Sequence, residues 1–132
     1  EKLNITVSNY ATITGKRLFV VPNLMNRTAR KLSQDSARKY DIVIDFGYQD
    51  IDSVEMDLPA GFSPESVPSP VTIKSKFGNY SSSVTLSGNK LIYYRNIEHF
   101  EGRFPASDYT EMAKFYDAIF KADRAKLVLV KN

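Results

Sequence analysis

Apolar and polar positions alternate through most of the chain, with one break to a longer period near the end. Leu3-Asn4-Ile5-Thr6-Val7-Ser8 alternates residue by residue, which predicts a half-buried strand. Gly15 interrupts the pattern. Arg17-Leu18-Phe19-Val20-Val21 predicts a second strand, stopped by Pro22-Asn23. Asn26 to Lys39 has no clean period and is read as an exposed loop or ragged edge. Asp41 to Gly47 sets Ile42, Ile44 and Phe46 on one side. Ser53 to Leu58 sets Val54, Met56 and Leu58 on one side, with Ser53, Glu55 and Asp57 toward water. Pro59-Ala60-Gly61 reads as a turn. Phe62 to Pro70 carries Pro64, Pro68 and Pro70. Proline cannot donate to a ladder, so this stretch is an extended crossing at a sheet edge. Val71 to Phe77 predicts a strand and Gly78-Asn79 a turn. Tyr80, Ser82, Val84 and Leu86 then alternate against Ser81, Ser83, Thr85 and Ser87. Gly88-Asn89 is a hairpin signal, and Leu91 to Ile97 completes a three-stranded meander.

The period changes after Phe104. Tyr109, Met112, Tyr116, Ile119 and Phe120 recur at helical spacing, while Glu111, Lys114, Asp117 and Lys121 lie mostly off that stripe. Pro105 and Ser107 mark the start, with Ser107 or Asp108 able to cap the free backbone N–H groups. The helix is placed at about 107–122 and ends at Ala122-Asp123-Arg124. Ala125 to Lys131 is an apolar run that predicts a final strand covered on both faces. About eight strands, frequent turns and one late helix predict a mainly-β fold, an immunoglobulin-like two-sheet β-sandwich. Without a Cys pair or a Trp, only the general architecture is argued.

Composition narrows the function classes. At 132 residues the chain reads as a single domain, 1–132, able to bury roughly two-thirds of the surface its unfolded form exposes. The net charge of +3 comes from 18 basic and 15 acidic residues, too small an excess to argue for nucleic acid. The absence of cysteine excludes a disulfide framework, a thiolate metal site and a cysteine nucleophile within the chain. No run is long and apolar enough to span a bilayer, so no direct membrane insertion is expected. The chain does not begin with Met and enters strand-like sequence at once, so it is read as a piece of a longer protein.

Several short motifs occur in a recognisable order: Arg38-Lys39-Tyr40, Asp45-Phe46-Gly47-Tyr48, Leu58-Pro59-Ala60-Gly61-Phe62 and Lys76-Phe77-Gly78-Asn79-Tyr80. Gly102-Arg103-Phe104-Pro105-Ala106 with Tyr109 and Phe115, and Ala122-Asp123 through Ala125-Lys126-Leu127-Val128-Leu129, complete the series. Together, from about Arg30 onward, they resemble the C-terminal domain of unknown function that follows the core of bacterial transglutaminase-like proteins. The resemblance implies a β-rich accessory domain whose partner is the upstream transglutaminase-like core of the same polypeptide. It also implies an exported parent, periplasmic or on the cell surface. The catalytic Cys-His-Asp of such proteins belongs to the core. With no cysteine in this chain, no catalytic residue carries over.

Candidate chemistry within the chain is sparse. His99 is the only histidine, and no nucleophile-elbow motif accompanies any serine, so a Ser-His-Asp triad is not expected. Asp50, Asp52, Glu55 and Asp57 could offer oxygens to Ca²⁺, but Glu55 and Asp57 share one solvent face and the calcium-loop spacing is missing. No metal, cofactor or catalytic residue is assigned. Arg27, Arg30, Lys31, Arg38 and Lys39 against Asp35 could dock an acidic partner, or simply form a solvated loop, which is the favoured reading. Three glycosylation sequons, at Asn4, Asn26 and Asn79, are read as chance.

The aromatics carry the one binding hypothesis, from eight Tyr and eight Phe. Tyr93-Tyr94 sends one ring to each face of its strand. An exposed ring, with Tyr48 or Arg95, would make a stacking platform for sugar rings or a peptide. Core packing is the favoured alternative, with each hydroxyl reaching a partner. The expected function is therefore a non-catalytic accessory domain, and the alternative is a glycan- or peptide-binding module using Tyr48, Tyr93, Tyr94 and Arg95.

Overall fold

The three-stranded meander forms and gains a fourth strand in a computed structural model that describes residues 1–29, 31–33 and 37–132. β4 (Tyr48–Asp57), β6 (Val71–Ser75), β7 (Gly78–Ser87) and β8 (Lys90–His99) make one antiparallel sheet in the order β4-β8-β7-β6. A second antiparallel sheet joins the two ends of the chain in the order β1-β2-β10-β5, from β1 (Thr12–Thr14), β2 (Arg17–Val20), β5 (Phe62–Ser66) and β10 (Leu127–Lys131). A short ladder pairs β3 (Ile42–Ile44) with β9 (Gly102–Phe104). A 3-10 turn at Ala106–Asp108 leads into α1 (Tyr109–Ala122). The mainly-β fold with one late helix and a final strand is as expected; among the described residues it has ten strands rather than about eight, in three sheets.

The meander sheet organises the rest. Its inner face is divided lengthwise between two covers. Toward one end Leu91 and Tyr93, with Val54, Met56, Val84 and Leu86, pack on Leu18, Val20, Leu127 and Leu129 of the terminal sheet. Toward the other, Phe77, Tyr80 and Ile97 pack under Met112, Phe115, Tyr116 and Ile119 of α1, with Ile42. The sandwich thus holds over part of the sheet, and the helix replaces the second sheet over the remainder. Of the expected stripe on α1, Met112, Tyr116 and Ile119 are buried while Tyr109 and Phe120 are half-buried, and Ala113 and Phe115 are buried as well.

Several local expectations are corrected. Leu3 to Ser8 forms no strand, and Leu3, Ile5 and Val7 stay half-exposed. Alternation marks two faces but does not supply a partner strand. The turn expected at Gly78-Asn79 falls two residues earlier, at Lys76-Phe77, because Ser75 pairs with Gly78. Gly78 is needed for a close approach instead: a Cβ there would sit 2.0 Å from the Glu98 carbonyl oxygen. Neither Ser107 nor Asp108 makes a capping bond. Asp108 accepts a hydrogen bond from Lys76 Nζ at 3.2 Å. In β10 only Leu127 and Leu129 are fully buried; Val128 and Val130 are half-buried. Phe46, expected inside with Ile42 and Ile44, is exposed, since β3 ends at Ile44. The proline-rich stretch behaves as expected, with β5 on the edge of its sheet.

Candidate functional site

The polar centre of the molecule lies where the two cores meet. Arg95 sits on β8 between Tyr93 and Ile97, so strand alternation turns it inward, and 4% of its surface is exposed. Asp123 follows the last turn of α1 and is 1% exposed. A carboxylate at a helix C-terminus faces the negative end of the helix dipole, so it needs a compensating cation. Arg95 supplies it. Nε donates to Asp123 Oδ1 at 2.8 Å and Nη2 to Oδ2 at 3.0 Å, a bidentate pair. Tyr80 Oη donates to Oδ1 at 2.8 Å, and the Thr28 backbone N–H donates to Oδ2 at 2.7 Å. Every carboxylate oxygen is therefore used twice. Arg95 also reaches Thr28 Oγ1 at 3.3 Å and lies 3.7 Å from Asp52 Oδ2.

This cluster ties helix, meander sheet and the loop after β2 into one unit. Asn26 Nδ2 donates to Asp52 Oδ1 at 2.7 Å, and Arg124 Nη1 donates to Thr28 O and Phe120 O. Burial works against the Arg95 charge, but the bonds to Asp123 outweigh it and raise the guanidinium above its usual value. Burial raises the Tyr80 and Tyr93 hydroxyls. The cluster is a buried structural network, and a small cavity lined by Ser82, Tyr93 and Asp123 adjoins it.

His99 sits at the far end of β8, between Tyr48 and Tyr116. The Tyr48 ring stacks on it at 4.4 Å between centroids, and Tyr116 lies 5.9 Å away on the helix side. Its Nδ1 is 3.2 Å from the Tyr116 hydroxyl. Burial lowers its pKa, opposed by Asp50 and reinforced by Arg95. No serine hydroxyl bonds its ring among the described residues.

The four tyrosine and arginine candidates do not share one surface. Tyr93 and Arg95 are buried on the inner face. Tyr48 is half-exposed at the end of β4, opposite His99 and on the inner side. Tyr94 stands alone on the outer face, 38% exposed, with Ser53 and Ser83 opposite it on the flanking strands. The pairing of Tyr94 with Arg95 or Tyr48 in one platform is therefore corrected: strand alternation puts them on opposite sides.

The acidic stretch divides in the same way. Asp52 faces Arg95, whereas Glu55 turns outward and pairs with Lys90. Among the described residues no three His, Cys, Asp or Glu side chains gather as a metal-holding group. Of the basic loop, Arg30 and Asp35 lie outside the described residues. Arg27 bonds Asn23 O and Tyr10 Oη, and Arg38 bonds the Tyr40 and Asp41 carbonyls. Lys31 lies 3.7 Å from Asp117. Among the described residues no helix is long and apolar enough to cross a membrane.

Sequence reasoning passed over Asp123, which proves to be the centre of the buried network. The available signal was its position: an acidic residue just past a helix C-terminus, where the dipole disfavours it.

The protein family described as a domain of unknown function with a solved structure, DUF3858, matches residues 16–129. No curated protein matches the chain. Among solved structures, the fold is similar to that of a putative protease from Parabacteroides distasonis, with a TM-score of 0.66 and 16% identity. The likeness takes in 85% of this chain and 23% of the other, so this chain spans about a quarter of that protein's length. At that identity the likeness is one of fold.

Proposed function

The chain belongs to the DUF3858 family, and we propose that it is a non-catalytic accessory domain of a larger bacterial protein built around a transglutaminase-like, papain-type core. The observation that carries this reading is the unequal coverage: the same fold is 23% of the Parabacteroides protein, one part of a longer chain. The core itself, and export of the parent, rest on the resemblance of the motifs from Arg38 to Leu129. The domain's role in this reading is to position or stabilise that core. Chemistry within the domain adds support. The lone histidine is enclosed by two tyrosine rings, and the buried Arg95–Asp123 pair is fully engaged in holding the fold. Contacts between domains of one chain are modest and fairly polar, which suits a surface without a long apolar run.

The test is the size and compartment of the native protein. An antibody against this domain, used on fractionated source cells, is expected to detect a band several times the 14.9 kDa of this chain in an exported fraction. Added back to the remainder of that protein, the domain should bind it and raise its unfolding temperature. A band near 14.9 kDa would overturn the reading.

A further inference from the structure

The outer face of the meander sheet is a regular surface that the accessory role leaves without use. Register fixes its composition. Across β4, β8 and β7 the outward positions form five rows, of which the central three are Ile51-Asn96-Ser81, Ser53-Tyr94-Ser83 and Glu55-Ile92-Thr85, flanked by Gln49-Glu98-Asn79 and Asp57-Lys90-Ser87. With strands about 4.8 Å apart and like-facing residues about 6.7 Å apart, the central three rows form a grid of about 10 by 13 Å. Tyr94 is its centre. The two residues opposite Tyr94 are serines, too short to overtop its ring. Ile92 and Ile51 are also exposed. Gln49 Nε2 donates to Asn96 Oδ1 at 3.0 Å, which holds that amide at the margin of the grid. The one charge in the grid, Glu55, is paired with Lys90.

The geometry points to a binding site for a neutral polysaccharide on this face, with a sugar ring stacked on Tyr94 and its hydroxyls met by Ser53, Ser83, Asn96 and Gln49. Three features choose this ligand class. A single aromatic ring flanked by small hydroxyl residues offers an apolar platform with hydrogen-bonding groups around it, the two surfaces of a pyranose. Glu55 already holds Lys90, and the flanking rows add the carboxylates of Asp57 and Glu98, which disfavour a phosphate or a uronate. Protein interface cores are enriched in aromatic residues, Met and Arg and depleted in Ser, whereas serine occupies three of the nine grid positions. A peptide strand would instead need a sheet edge, and Tyr94 lies on a central strand.

The test is native gel electrophoresis of the full 132-residue chain through soluble xyloglucan, mixed-linkage glucan, galactomannan and starch, with retention on insoluble cellulose and chitin. Wild type is expected to be held back by at least one of these. Tyr94→Ala should weaken that binding about tenfold or more, and Tyr94→Phe should keep most of it, because stacking needs the ring rather than the hydroxyl. Ser83→Arg, which crowds the ring without removing it, should lose binding as well. Ile13→Ala, on the terminal sheet, should bind as wild type does. Circular dichroism of each variant separates lost binding from lost folding. No retention on any polysaccharide, or retention unchanged in Tyr94→Ala, would overturn the proposal. So would loss of association with the rest of the parent protein in Tyr94→Ala without any effect on polysaccharide, since that would give the face to a protein partner.

Discussion

The two faces of the meander sheet use the same strands for opposite ends. On the inner face, β8 presents Leu91, Tyr93, Arg95, Ile97 and His99, all buried. On the outer face it presents Ile92, Tyr94, Asn96 and Glu98 among serines and a threonine. The inner face gains stability from apolar area and from one buried ion pair. The outer face gains little from its side chains beyond strand pairing. Tyr94 and Arg95 are neighbours in sequence, yet one is open to solvent and the other is locked in the centre. The lesson is that residue type does not decide a site; the face it occupies does.

The largest effect should come from breaking the buried pair. Replacing Arg95 with Ala leaves the Asp123 carboxylate buried beside Tyr80 without its cation. Removing one partner of such a pair costs about 3–5 kcal/mol. Urea unfolding should show that loss, and Asp123→Ala should resemble it. The double substitution should cost less than the sum, because the two side chains act as one unit.

Close backbone approach on the same face gives the next effect. An added methyl group at Gly78 meets the Glu98 carbonyl oxygen at 2.0 Å, so the β7–β8 ladder must shift. Gly78→Ala is expected to cost about 1–3 kcal/mol by the same denaturation. An unchanged midpoint would mean that the start of β7 yields without strain.

His99 should make the inner face sensitive to acid. Burial lowers its pKa in the folded state below the unfolded value near 6.5. The neutral ring therefore contributes its full stability above that unfolded value. The contribution is lost as pH falls from there through the lower folded pKa. The difference in unfolding free energy between wild type and His99→Gln should shrink across that window. A constant difference would show that His99 does not titrate differently on folding.

Much of this contrast was legible in the sequence. Alternation from Tyr80 to Ile97 and the Gly88-Asn89 turn gave the central hairpin, because period two and a tight turn are both local signals. The helical stripe from Tyr109 was equally local. That Tyr93 and Tyr94 point to opposite faces also followed from period two. Which of them is buried did not, since that depends on where Leu18, Val20 and α1 come to lie. Leu3 to Ser8 carries the same alternation as β8 and forms no strand, so pattern without a partner is not enough. The Arg95–Asp123 pair was invisible for the same reason: its members are 28 residues apart and joined only by tertiary packing.

The smallest stability effect should fall on the outer face. Tyr94→Ala removes a partly exposed ring and some strand preference, at a cost of about 1 kcal/mol or less. Its neighbour provides the direct comparison. Urea unfolding of Tyr94→Ala and Arg95→Ala, measured side by side with wild type, tests whether the two faces are divided between recognition and fold. The account predicts a small loss for Tyr94→Ala and a loss several times larger for Arg95→Ala. Equal losses, or a larger loss at Tyr94, would contradict it.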